Sequence, residues 1–140
     1  MAERRLYWDK EDEVMYDEIR HSSGPFKGIN LIDLFGFALV YGKQRGIRAP
    51  IGKGSTGRMI EATVRNSDIF YLMMAIAVEE TGSIDVLIDK DEYFTIAEEY
   101  AKTGIKILYN EYKELGNGIL DDMELDLIEF LEENVEESWF

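Results

Sequence analysis

The 140-residue sequence contains no cysteine, one histidine and two prolines. Without cysteine there can be no disulfide framework, no thiolate nucleophile and no Cys-ligated zinc or iron–sulfur centre. A single histidine, His21, cannot build a multi-histidine metal site. Basic residues are also scarce: 15 Lys and Arg stand against 29 Asp and Glu, for a net charge of −14. The longest uninterrupted apolar run, Ile69 to Val78, is ten residues, about half of what a bilayer span needs. It is expected to be a buried core segment. Met1 to Lys10 lacks the apolar stretch of a secretory signal, so no export is expected, and the cytoplasm is the expected location. What is present is 46% hydrophobic content, enough for one core. A domain of this size hides roughly 70% of the surface of its unfolded chain, and residues 1–140 read as a single helical domain.

The apolar spacing is that of helices. Lys10 to Arg20 carries a modest helical pattern that ends at His21-Ser22-Ser23-Gly24-Pro25, a cluster with loop chemistry. Asn30 is placed to cap a helix whose positions Leu31, Leu34, Phe35, Ala38, Leu39 and Tyr41–Gly42 share one face. The glycines from Gly42 to Arg58, with Pro50, argue against long regular structure there. Met59 to Val64 fits either an isolated strand or a helical turn. Ser67-Asp68 opens a helix over the apolar run, since Leu72, Met73, Met74, Ala75 and Ala77 favour helix over strand, and Gly82 suits its C-terminal cap. Asp89 with Glu92 three residues on has the spacing of a capping box. In the helix that follows, Gly104 falls on the apolar stripe, where a missing side chain lets another helix approach. Asn117-Gly118 stops that helix. A last, acidic one runs over about residues 119–137, with Leu120, Met123, Leu127, Leu131 and Val135 in register. The expected fold class is all-α, a compact bundle of about five helices with a Gly-rich basic loop near residues 43–58.

Charge is distributed unevenly along the chain. Residues 43–65 hold six cations (Lys43, Arg45, Arg48, Lys53, Arg58 and Arg65) and one acid, Glu61. Residues 66–140 hold 4 basic and 20 acidic residues. The six cations are therefore candidates for contact with nucleic acid or another anion. The plainer reading is that they face the chain's own carboxylates, and recognition through this loop requires that they do not. Asp121, Asp122, Glu124, Asp126, Glu129, Glu132, Glu133, Glu136 and Glu137 flank the last apolar stripe. They read as a solvated helix face or as a docking surface for a basic partner. Trp139 and Phe140 are two large apolar groups that must pack or associate, and so are candidates for a partner interface.

Several catalytic motifs almost fit and fail. Gly52-Lys53-Gly54-Ser55-Thr56-Gly57 spells a dinucleotide fingerprint, which must leave a buried strand and open a helix. Here it follows Arg48-Ala49-Pro50-Ile51, with no parallel-sheet pattern in the chain. A P-loop fails on spacing, because Gly46 precedes Gly52 by six residues and Lys53 is followed by Gly54. Asp122-Met123-Glu124-Leu125-Asp126 alternates like a calcium loop, but Leu127 stands where that loop needs glycine. There is no nucleophile elbow. The expectation is no catalytic residue, no metal site and no cofactor: the chain is not expected to be an enzyme.

Three segments, Phe37-Ala38-Leu39-Val40-Tyr41-Gly42-Lys43-Gln44-Arg45, Ala75-Ile76-Ala77-Val78-Glu79-Glu80-Thr81-Gly82 and Ala97-Glu98-Glu99-Tyr100-Ala101-Lys102-Thr103-Gly104-Ile105-Lys106-Ile107-Leu108, together resemble small helical proteins associated with DNA phosphorothioation (sulfur-modification) and linked restriction systems. The resemblance covers roughly residues 30–115. It implies an accessory component of a DNA-modification system and carries over no catalytic residue. The expected function is thus a non-enzymatic accessory protein that binds a protein or a protein–DNA complex through the basic loop, the acidic C-terminal helix, or both. No membrane contact is expected. The alternative is a self-associating structural or regulatory protein without nucleic-acid contact, its homo-oligomer burying Trp139 and Phe140.

Overall fold

The computed structural model describes residues 4–22, 24–52 and 56–139, and in the last helix its side chains as far as residue 129. In chain order the elements are β1 (Arg5–Trp8), α1 (Lys10–His21), α2 (Leu31–Arg45), β2 (Thr56–Ile60), α3 (Glu61–Arg65), α4 (Ile69–Thr81), α5 (Lys90–Leu115) and α6 (Ile119–Trp139), with short 3-10 turns at Ile84–Ile88 and Gly116–Gly118. The described chain is predominantly helical, as the spacing of its apolar residues requires. The apolar run forms α4, closed by Gly82 in the left-handed region at φ 71°. Asp89 caps α5 by accepting from the Glu92 backbone N–H at 3.1 Å. Asn30 occupies the N-cap position of α2, but its side chain makes no capping bond.

Two expectations change. Residues 5–8 and 56–60 pair as a two-stranded antiparallel sheet, which a strand of four residues does not announce in sequence. The alternatives left open for Met59 to Val64 are both used in turn, since β2 runs directly into α3. The second change follows Gly42, which lies on the face of α2 as expected: the helix continues through residues 43–45, where the glycine-rich stretch argued against regular structure, and ends at Gly46 (φ 69°).

The sheet register slips between Leu6 and Tyr7, so that Leu6 faces Met59 and Tyr7 faces Gly57. Arg58 is the extra residue of this bulge, a device that re-aims a side chain out of the ladder. Leu6 and Trp8 turn inward, and the Trp8 ring stacks on Tyr16 of α1 with centroids 4.4 Å apart.

The centre of the molecule is the crossing of α2 and α5. A Cβ at Gly104 would strike the Ala38 carbonyl oxygen and come within 2.7 Å of the Gly42 backbone nitrogen. One at Gly42 would strike the Tyr100 carbonyl oxygen. The two helices therefore meet backbone to backbone. Around this seam Leu34, Phe35, Ala38 and Leu39 of α2 pack with Phe94, Ala97, Ala101, Ile105 and Leu108 of α5. Met73, Ile76 and Ala77 of α4 and Tyr16 and Ile19 of α1 complete the core.

Candidate functional site

The α2–α5 seam fixes where the basic segment goes. Because α2 meets α5 at Gly42, the residues just beyond it, Lys43 and Arg45, come to lie over α5 and over the C-terminal turn of α4. The left-handed Gly46 then turns the chain back, and the Ala49 N–H donates to the Glu99 carbonyl at 3.2 Å. Arg48 is thereby pinned against the same acidic residues.

The centre of this cluster is Tyr100, whose hydroxyl donates to Glu80. The Lys43 ammonium stands 5.5 Å and the Arg48 guanidinium 5.8 Å from the Tyr100 ring centroid, within cation–π range. Arg48 bridges Glu80 and Glu99, at 3.0 Å to each. Lys43 lies 3.3 Å from Glu79 and 3.8 Å from Glu80. The Tyr100 hydroxyl and the Arg48 guanidinium both favour ionised Glu80 and lower its carboxyl from the ordinary range. Burial, then the Glu80 carboxylate, pushes Tyr100 up to about 12. A phenol held so high offers no phenolate at neutral pH, and the cluster joins three elements through its hydrogen bonds and ion pairs.

The other cations of residues 43–65 are also engaged by the chain itself. Arg45 meets Glu111 at 3.5 Å, Arg58 pairs with Glu13 of α1, and Arg65 meets Glu61 at 2.6 Å. Lys53 lies outside the described residues. Of the sequence candidates, Lys43 and Arg48 are thus brought together at Tyr100, while Arg45 meets α5 farther along, at Glu111. Arg58 and Arg65 go elsewhere, to α1 and α3, so the described cations do not converge on one patch. The condition for recognition through this loop, cations left free by the chain's own acids, is not met at any of these five. The acids that meet them were not singled out in the sequence. Their one signal was the occurrence of Glu79-Glu80 and Glu98-Glu99 within the segments that carry the family resemblance.

A second polar cluster anchors the sheet. The Arg4 guanidinium donates to both Glu98 carboxylate oxygens, each at 2.9 Å, and the Tyr7 N–H adds a bond to Glu98 at 2.7 Å. Burial pushes the Glu98 carboxyl up against the opposing pull of Arg4 and Tyr7. Glu61 accepts from the Arg4 N–H at 2.9 Å and meets Lys90 at 2.8 Å. Lys90 chiefly, then Arg4 and Arg65, bring its carboxyl down to about 2. A shallow cleft of about 280 Å³ lies beside this cluster, lined by Tyr7, Pro50, Ile51, Thr95, Glu98 and Glu99. Both oxygens of its buried carboxylate, Glu98, are already taken by Arg4 and Tyr7. Among the described residues no three His, Asp or Glu side chains gather as a metal site.

The third feature is α6. Ile119 is fully buried and Met123 packs against the core, whereas Leu120, Leu127 and Ile128 are 49%, 57% and 43% exposed. Trp139 ends this helix, and Phe140 lies outside the described residues. Ile128 was missed in the sequence, although the 3–4 spacing from Leu120 and Leu127 leads to it.

The family model described as DNA sulphur modification system-associated protein 4 matches residues 5–138, a wider span than the 30–115 over which the resemblance was read. No curated protein and no solved structure matches the chain. Among the described residues no helix is long and apolar enough to cross a membrane.

Proposed function

Since the chain belongs to the family of DNA sulphur modification system-associated protein 4, we propose that it is a non-enzymatic accessory component of such a system that works by contacting another protein rather than by binding DNA itself. The observation that carries this reading is the internal pairing of Lys43, Arg45, Arg48, Arg58 and Arg65 with Glu79, Glu80, Glu99, Glu111, Glu13 and Glu61. Around Tyr100 two cations face three carboxylates, so an approaching phosphate meets a neutral-to-acidic surface. Phosphate binding draws its free energy from Lys and Arg neutralising phosphates and so releasing the cations condensed on the nucleic acid, and here those side chains are already engaged. The absence of chemistry is supported by residue type. The one histidine, His21, is exposed at the end of α1, and the tyrosine at the centre of the polar cluster is held protonated.

The test is equilibrium binding of the full chain to a labelled duplex, with and without phosphorothioate linkages, at about 50 mM salt. Binding no tighter than about 100 μM, the weak end of non-specific association, is the expected result. Saturable binding in the low micromolar range that Arg48→Ala or Arg58→Ala abolishes would overturn the reading and return the basic segment to the role of a nucleic-acid contact.

A further inference from the structure

We infer that α6 is a docking helix whose outward apolar stripe seats in an apolar groove rimmed by Lys and Arg on another protein. The inference rests on the protein-contact reading above and names the surface that makes the contact.

At 100° per residue, Leu120, Leu127 and Ile128 fall within one arc of α6, with the exposed Glu124 inside it, Asp121 at one edge and the exposed Leu125 beyond that edge, while Asp122, Asp126 and Glu129 fall on the opposite side. Ile119 and Met123 attach the first turns to the body. Asp122 and Asp126 lie within electrostatic reach of the buried Tyr41 hydroxyl and, after burial and Glu111, help to push its pKa up. Asp121, Glu124, Asp126 and Glu129 are nonetheless exposed and Asp122 is half-buried, so α6 presents leucine, isoleucine and carboxylate side chains together to solvent. An amphipathic helix normally turns its apolar side chains to the core, and several large apolar side chains left exposed on one helix mark a contact surface. The geometry is that of a helix laid into a groove, read through anchors at i, i+7 and i+8.

Charge selects the occupant. From Ile119 to Trp139 the helix holds nine acidic residues and no basic one, and the rest of the chain is also net acidic. A second copy would set the carboxylates interspersed along this face, Asp121 and Glu124 among them, against their own copies. An anionic lipid surface or a nucleic acid would be repelled for the same reason, and interfacial helices carry Lys and Arg on their polar face. What remains is a protein groove with an apolar floor and cationic rims. Its charges would set orientation and on-rate, and the leucine and isoleucine side chains would supply the affinity.

The test uses the full chain at about 150 mM salt and a labelled synthetic helix with Leu on one face and Lys on the other as probe. A Leu/Glu helix of equal length is the control. Saturable one-to-one binding of the Lys helix alone is expected. The double variant Leu127→Asn/Ile128→Asn should weaken it at least tenfold with an unchanged circular dichroism spectrum. Neutralising Asp121 and Glu124 should weaken it more than neutralising Asp33 and Asp68, which are exposed elsewhere. Equal effects of the two charge pairs, or no effect of the Leu127/Ile128 change, would overturn the inference by showing diffuse attraction. So would a dimer in light scattering that the Leu127/Ile128 change dissociates, because the occupant would then be a second copy. A duplex oligonucleotide is the remaining arm. If it binds, the protein-contact reading itself fails; if it does not, and the apolar variant still binds the Lys helix fully, only the assignment to α6 fails.

Discussion

Asp12, one turn into α1, has no exposed surface, and neither of its carboxylate oxygens accepts a hydrogen bond from any described residue. Burial is the main force acting on it and raises its pKa, with Lys106 of α5 pulling the other way and Glu11 adding to the rise. Its neighbours share the same dry environment. The Tyr16 hydroxyl and the Trp8 indole N–H are also buried without partners, and burial followed by the Asp12 charge pushes Tyr16 above its usual range. A carboxyl whose folded pKa exceeds its unfolded value binds its proton more tightly in the native state. Its contribution to stability is complete below about pH 3.9 and is lost as pH rises through the folded value. Asp12→Asn, which cannot ionise, should therefore match the parent near pH 4 and exceed it at pH 8. The gain should be about 1.4 kcal/mol for each unit by which burial raises the folded pKa, since only the charge, not the buried polar group, is removed. Urea unfolding at a series of pH values checks this, and a parallel offset at every pH would show that Asp12 is ionised throughout.

At the scale of elements the decisive contact is between α2 and α5, and the two glycines that permit it make opposite demands on intuition. Gly104→Ala improves intrinsic helix propensity by about 1 kcal/mol, yet the added methyl meets the Ala38 carbonyl and the Gly42 nitrogen, which are backbone and cannot swing aside. Overpacking of this kind costs about 1–3 kcal/mol or more, so both Gly104→Ala and Gly42→Ala should destabilise by about 2 kcal/mol or more in urea. Gly82→Ala, at φ 71° with nothing near its would-be Cβ, should lose only the left-handed penalty of about 1–2 kcal/mol. A neutral Gly104→Ala would mean that the helices are free to separate. Half of this seam was legible in the sequence: Gly104 stood on an apolar stripe, where a gap has meaning. Gly42 also fell on a helix face beside Tyr41, but it headed a glycine-rich stretch as well, so nothing local marked it as the place where α5 approaches. The α4 run and the Asp89–Glu92 cap were legible because both are local signals. The β1–β2 pair joins residues about fifty apart, and the carboxylates that hold Arg48, Arg58 and Arg45 lie 32 to 66 positions away or on α1. No spacing rule reports such meetings, so the charge map of the sequence showed six cations without showing what had claimed them.

The whole molecule divides into a body that holds the core and an acidic helix that leaves it. No described side chain beyond Met123 joins the core, and the arm from Glu124 onward contributes seven carboxylates and no cation. Its exposed charges act on a body already net negative, and like-charge repulsion opposes compactness. Ending the chain after Met123 keeps Ile119 in its buried site and removes half of the net charge of −14. The thermal midpoint of the shortened chain should stay within about 4 °C of the parent's, since a change of 1 kcal/mol shifts a domain of this size by roughly that amount. Its midpoint should also respond less to salt between about 20 and 300 mM, because fewer exposed charges remain to be screened. Ile119→Ala in the full chain should do the opposite. It opens a cavity where α6 joins the body, costing about 2–5 kcal/mol, while leaving every charge and the salt response in place. If the shortened chain melts as far below the parent as Ile119→Ala does, the C-terminal half of α6 belongs to the folding unit, and the stripe of Leu127 and Ile128 is anchored to the body rather than held out for a partner.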